Sequence, residues 1–193
     1  MNNKNLLALL SLTAALGLPV PGRAAEFNAV QADKSSLVFA FKQMNVGMEG
    51  RFKKFAAQIN FDPAKATSAK VSLDVDLASI DTGSAEGDDE VAGKLWFNTK
   101  AFPTAHFASS SVKSLGGNRY EVAGQLTIKG RSQMVTAPTA VTIQGNGAAF
   151  DGAFVIRRAD FAIGEGPWAD LSTVANEVLI NFNVVAIAPP KSK

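Results

Sequence analysis

Few residues in this chain are equipped for chemistry. His106 is the single histidine and there is no cysteine. That excludes a thiolate metal site, an iron–sulfur cluster, a disulfide scaffold and a cysteine nucleophile. A lone histidine needs partners to hold a metal or move a proton, and the stretch Phe102-Pro103-Thr104-Ala105-His106-Phe107 supplies none. Alternation turns His106 away from Phe107 and onto the outer face of a strand. Asp74 and Asp76, two apart, share one strand face and offer the paired carboxylates of a hydrolase; an outward polar face gives the same pattern and is preferred. Glu86, Asp88, Asp89 and Glu90 could ligate a hard cation, but they lack the spacing of a calcium loop and suit the first turns of a helix. Ser109, Ser110 and Ser111 lie in no G-x-S-x-G frame. Arg51, Lys53 and Lys54 interleave with Phe52 and Phe55 as in a nucleic-acid groove, and equally as in an edge strand guarded by basic side chains.

Charge decides that last case. The 193 residues carry 19 Lys and Arg against 17 Asp and Glu, and Lys4 and Arg23 in the N-terminal segment account for the excess. Lys4 precedes the apolar run Leu6 to Leu18, which is shorter than the roughly 20 residues of a helical bilayer span. Pro19 and Pro21 follow, then Gly22 and Ala24, small residues at the −3 and −1 positions of a cleavage site. Residues 1–24 are therefore expected to be a signal peptide, and residues 25–193 a formally neutral, exported domain in the periplasm. Neutrality argues against nucleic acid as a partner. No later stretch is apolar and long enough to span a membrane after signal cleavage.

The elements that must position these residues are strands. Val71, Leu73, Val75 and Leu77 oppose Ser72, Asp74 and Asp76; Tyr120, Val122, Leu126 and Ile128 oppose Glu121, Gln125 and Thr127. The same period of two runs through Leu37–Phe41 and Val178–Val184, with further strands around 50–61, 105–112, 135–143 and 149–158. Turn signals punctuate them at Asp62-Pro63, Gly116-Gly117-Asn118, Lys129-Gly130 and Gly145-Asn146-Gly147. About eight strands joined by short turns predict an all-β, single-domain antiparallel barrel or sandwich. One interval, Ser84–Phe97, predicts a short helical insertion: Ser84 is a candidate N-cap, Glu90 and Lys94 are an i, i+4 pair, and Val91 and Leu95 share a face that could lid the sheet. A second irregular loop, Gly164–Asp170, carries Trp168.

Thirteen phenylalanines against one tyrosine favour side chains with no polar handle. Phe39, Phe41, Phe52, Phe61, Phe107, Phe150, Phe154 and Phe182 are candidates for inward positions. A packed core explains them, and so does an eight-stranded barrel holding an apolar ligand.

The order of five segments carries a resemblance. They are LVFAFKQMNVGMEGRFKKFAAQINFDP, VSLDVDLASIDTG, LWFNTKAFPTAHFASSSV, YEVAGQLTIKGRSQMV and RRADFAIG. In that order, from about Phe27 to Ile187, the chain resembles the YceI-like family of secreted bacterial proteins. The family's G-x-F pattern falls on Gly50, Arg51 and Phe52, and its Ser-Ile-Asp-Thr stretch on Ser79 to Thr82. The Phe-Pro turn falls on Phe102 and Pro103, the Leu-Thr-Ile-Lys-Gly hairpin on Leu126 to Gly130, and the Asp-Phe-x-Ile-Gly ending on Asp160, Phe161, Ile163 and Gly164. The resemblance implies an eight-stranded, lipocalin-like antiparallel barrel. It also implies non-enzymatic carriage of a long isoprenoid, a ubiquinone or another polyprenyl lipid, as cargo. The site residues expected on that basis are Phe39, Phe41, Phe52, Leu73, Val75 and Trp96, with Phe107, Phe154, Ile156, Phe161 and Trp168. Some members are encoded beside or fused to membrane b-type cytochromes, so a cytochrome partner is implied, as is an accessory role for a filled barrel; a homodimer is compatible with either. The chain has Gln43-Met44 where many members carry a histidine, and Gly93–Phe97 where many carry Leu-Arg-Ser. Trp96 and Trp168 are expected to shape the channel mouth instead.

Overall fold

The computed structural model describes residues 26–189; the expected signal peptide lies outside them. The strands are β1 (Ala29–Val30), β2 (Ser36–Gln43), β3 (Val46–Phe52), β4 (Phe55–Asn60), β5 (Lys70–Asp76) and β6 (Ile80–Asp81). After the helix α1 (Ala85–Ala92) come β7 (Thr104–Gly116), β8 (Arg119–Ile128), β9 (Arg131–Gln144), β10 (Gly147–Arg157) and β11 (Glu177–Ile187). All pair antiparallel in one sheet, ordered β4-β5-β7-β8-β9-β10-β11-β2-β3-β6, with β1 on β11.

The described residues form eleven strands where eight were expected: one extra is the two-residue β1, and the other two come from bends. β3 and β4 are one run of chain bent at Lys53-Lys54, and β5 and β6 are another, bent at the turn Leu77–Ser79. The bends face each other: Lys53 N donates to Ser79 O at 3.0 Å and Asp76 N donates to Lys54 O at 3.1 Å. The bent run β3–β4 pairs with β2 through its first half and with β5 through its second. Chain continuity therefore brings the two ends of the sheet together, and the lipocalin-like, all-β expectation holds. The edge-strand reading of Arg51 does not, because Arg51 lies opposite Val38 of β2 on one side and Asp81 of β6 on the other.

Asp81 neutralises that basic stretch. Its Oδ2 accepts from Arg51 Nε and Nη2 at 3.1 and 3.0 Å, with Lys53 Nζ at 3.9 Å. The Gly83 backbone N–H and the Arg51 guanidinium hold its carboxyl below the ordinary 3.8. A depressed carboxyl pKa adds stability that is complete above the ordinary value and is lost as pH falls through the lowered one. Asp81→Asn is thus expected to lower the urea midpoint at neutral pH and to match wild type in strong acid. Parallel midpoints at all pH values would show that the pair contributes nothing.

The strand faces follow the alternation. One inner row crosses four strands as Phe154, Ile180, Phe39 and Gly50, each opposite the next. Gly50 is needed there because a Cβ would sit 2.4 Å from the Phe39 ring. The β8–β9 hairpin turns on Lys129 and Gly130, both at positive φ (49° and 72°), as a two-residue turn of this hand requires. His106 and Asp74 face outward as expected, opposite one another on β7 and β5, with Nδ1 2.6 Å from Oδ1. Asp76 caps the next turn by accepting from Ala78 N. The carboxylate pair therefore serves the outer wall and its turns.

The interior has two unequal halves. At one end Phe61 meets Tyr120 and Phe150 edge-on, each at 5.2 Å, beside Phe27, which is 1% exposed. That end holds one of two buried apolar clusters, and the cavity reaches its Ile59, Phe150 and Val184. The other end carries most of the remaining aromatic side chains and is hollow.

Candidate functional site

A cavity of about 370 Å³ runs into the barrel, within the size range of ligand pockets. Its wall is the inward set of nearly every strand: Phe39 and Phe41 of β2, Phe52 of β3, Leu73 and Val75 of β5, Phe107 of β7, and Phe154 and Ile156 of β10. Phe41, Phe52, Leu73, Phe107 and Phe154 point inward yet remain only half-buried, because open space rather than other side chains faces them. Trp96 and Trp168 also line it. Phe161, expected in the site, does not. It is 1% exposed and packed within the apolar cluster rather than on the wall, in the short 3₁₀ turn that follows β10.

The polar end of the cavity is built by three segments. Ser84 caps α1 as expected, its Oγ accepting from Gly87 N at 3.1 Å. The helix ends at Ala92, so Lys94 and Leu95 leave its face. Glu90 therefore does not pair with Lys94, and Leu95 stays 40% exposed while Val91 alone of that pair packs on the wall. The Glu90 carboxylate turns to the tryptophans instead. Its Oε1 accepts the indole N–H of Trp96 at 3.2 Å and of Trp168 at 2.7 Å. The two rings lie 5.4 Å apart at 57°. One carboxylate oxygen thus ties the helix to the loop after it and to the loop 78 residues away.

Beneath the tryptophans lies Arg158, 2% exposed, with its guanidinium carbon 5.7 Å from the centre of the Trp96 ring. Every hydrogen-bond partner it has among the described residues is a backbone carbonyl. Nε donates to Val174 and Ala175, Nη1 to Ile163 and Gly164, and Nη2 to Trp168 and Val174, at 2.7 to 3.2 Å. Desolvation lowers its pKa below the ordinary arginine value, but a guanidinium keeps its proton in proteins. Lys129 adds a second tie, donating to Ala162 O at 2.7 Å and to Glu165 Oε2 at 2.9 Å. The Gly164–Asp170 loop is therefore fixed from below, which holds Trp168 over the cavity.

Glu90 and Arg158 were not among the expected site residues. Arg158 had a legible signal, since it continues the inward parity of Phe150, Phe154 and Ile156 on β10. Glu90 had none, because its partners come from outside the helix.

A hollow, apolar, antiparallel barrel with one polar corner belongs to the lipocalin-like architectures. More specifically, the chain belongs to the YceI-like family, whose domain model matches residues 29–186. A UPF0312 protein of Yersinia pestis (strain Pestoides F) is 31% identical over 195 residues, 97% of this chain and 98% of that one. Among solved structures, Burkholderia cenocepacia BcnA superposes with a TM-score of 0.80 at 48% identity, covering 81% of this chain and 99% of the other. A polyisoprenoid binding domain from Saccharophagus degradans, implicated in plant cell wall breakdown, shares the fold with a TM-score of 0.62 at 16% identity, covering 86% and 100%.

Proposed function

We propose that the protein binds and carries a long apolar isoprenoid, a quinone or polyprenyl lipid, in the barrel interior without acting on it chemically. The observation that carries this reading is the cavity of about 370 Å³ walled by phenylalanine and aliphatic side chains. Such a wall has one strong interaction to offer, removal of hydrocarbon from water, at about 0.8 kcal/mol per buried CH₂ before ordering costs. A few isoprene units inside suffice to retain a water-insoluble chain. The polyisoprenoid-binding relative by fold supports the same reading. The periplasmic location belongs to the proposal and rests on the expected signal peptide.

Mass spectrometry of organic extracts tests it, on protein purified from periplasm under non-denaturing conditions. A stoichiometric polyprenyl species is expected. Lipid-free protein that also takes up neither added ubiquinone nor an added polyprenol would overturn the carrier reading and leave a scaffold that docks a protein partner.

A further inference from the structure

Resting on that carrier reading and narrowing its cargo from quinones to donor-headed lipids, we propose that Glu90 receives the polar head of the cargo, and that this head is a hydrogen-bond donor: an alcohol or an amine on an otherwise apolar molecule. The polar end of the cavity has few groups left to offer a ligand. Glu90 and Arg158 are the only charged side chains on the wall among the described residues. Arg158 has five N–H groups, and the backbone carbonyls of Ile163, Gly164, Trp168, Val174 and Ala175 occupy them. Both indole N–H groups are spent on one oxygen, Glu90 Oε1. The strong donors at this end are closed to a ligand.

Of the four wall hydroxyls, those of Thr82, Ser84 and Thr139 hold a bond, while Ser36 and the O–H of Ser84 have no acceptor among the described residues. Thr82 Oγ1 bonds Asp88, Ser84 Oγ caps α1, and Thr139 Oγ1 donates to Ala137 O. Gln43, at the rim, carries a neutral amide that can donate or accept and so selects nothing. The charged group that stays open is Glu90, an exposed residue whose second carboxylate oxygen, Oε2, takes no hydrogen bond from the described residues. It is an acceptor, it carries charge, and two indoles fix its position before any ligand arrives. A phosphate brought there meets a like charge and no free cationic donor. A ketone or ether meets an acceptor facing an acceptor. A hydroxyl or ammonium meets a charge-assisted hydrogen bond.

Geranylgeraniol and its methyl ether share a tail and differ by one donor, so they isolate this contact. Each is titrated into the full-length protein and into Glu90→Gln, following fluorescence from Trp96 and Trp168, the only tryptophans in the chain. The alcohol is expected to bind wild type roughly tenfold tighter than the ether. In Glu90→Gln the amide oxygen still accepts from the indoles, while its NH₂ faces the cavity, so the preference should vanish or invert. A melting curve confirms that the variant folds, and the wild-type ratio tests the donor requirement without it. Equal affinities in wild type would overturn the head-group assignment and leave the carrier reading standing. An unchanged ratio in folded Glu90→Gln would move the contact away from Glu90. Binding of neither probe would overturn both.

Discussion

Arg158→Ala is expected to cost on the order of 4 kcal/mol of stability, since each buried carbonyl left without its partner costs about 1–3 kcal/mol. Three of the five carbonyls it serves, those of Ile163, Gly164 and Val174, belong to buried residues. In a domain of this size the loss corresponds to a fall of roughly 10 °C in melting temperature. The guanidinium is unusual in having no carboxylate partner among the described residues: its charge is spread over carbonyl oxygens and the face of Trp96. That arrangement needs a planar fork with donors pointing in several directions. Arg158→Lys keeps the charge but offers three donors at one point, so it should recover less than half of the loss. Trp168 hangs on the same loop, and its emission should shift to the red in both variants as water reaches it. A drop below about 1 kcal/mol for Arg158→Ala would mean that water replaces the guanidinium at these carbonyls, and that the loop is not held from below.

The same residue marks how far alternation reaches. Period two placed Leu73 and Val75 inward and Asp74 outward, and the expected site residues that lie on strands all line the cavity. Buried faces dictate such patterns, because a slip of one residue turns an entire strand inside out. Parity reached Arg158 as well, yet nothing local distinguishes an inward arginine held by carbonyls from an outward one in water. Phe161 stands off the cavity wall for the complementary reason: its apolar character is clear, but it lies at the far end of the turn Arg158–Phe161, past the reach of the strand's parity.

Strand number and the mouth were less legible. The bend at Lys53-Lys54 shows only as a slip of phase: Phe52 and Phe55 both line the cavity although they are three apart, which strict alternation forbids. The closure of the sheet depends on that bend meeting the one at Leu77–Ser79, a contact between segments 25 residues apart. Glu90 is a stronger case. As one acid among four at a helix start it reads as a solvated charge, and only tertiary structure brings Trp168 within 2.7 Å. The tryptophans themselves were expected at the mouth because both sit in irregular segments, where side chains are freed from strand parity.

The feature least accessible to sequence is whether the inside is filled, because a packed interior and a hollow one are lined by the same residue types. Leu73→Trp separates the two by the sign of its effect. Leu73 lies on β5 opposite Ala57 and Phe107 and faces the cavity while only half-buried. A tryptophan there extends into empty space, so the ligand-free protein is expected to keep its melting temperature or gain about 1–2 kcal/mol from added apolar burial. Lipid uptake should fall tenfold or more in the same variant, because the new ring occupies the volume a tail would need. A packed interior predicts the reverse on the first measurement, since forcing extra atoms into a full core costs about 1–3 kcal/mol. Stabilisation with loss of lipid is the result a carrier requires. Destabilisation with lipid occupancy unchanged would place the cargo outside this cavity, and the phenylalanines lining it would then serve packing alone.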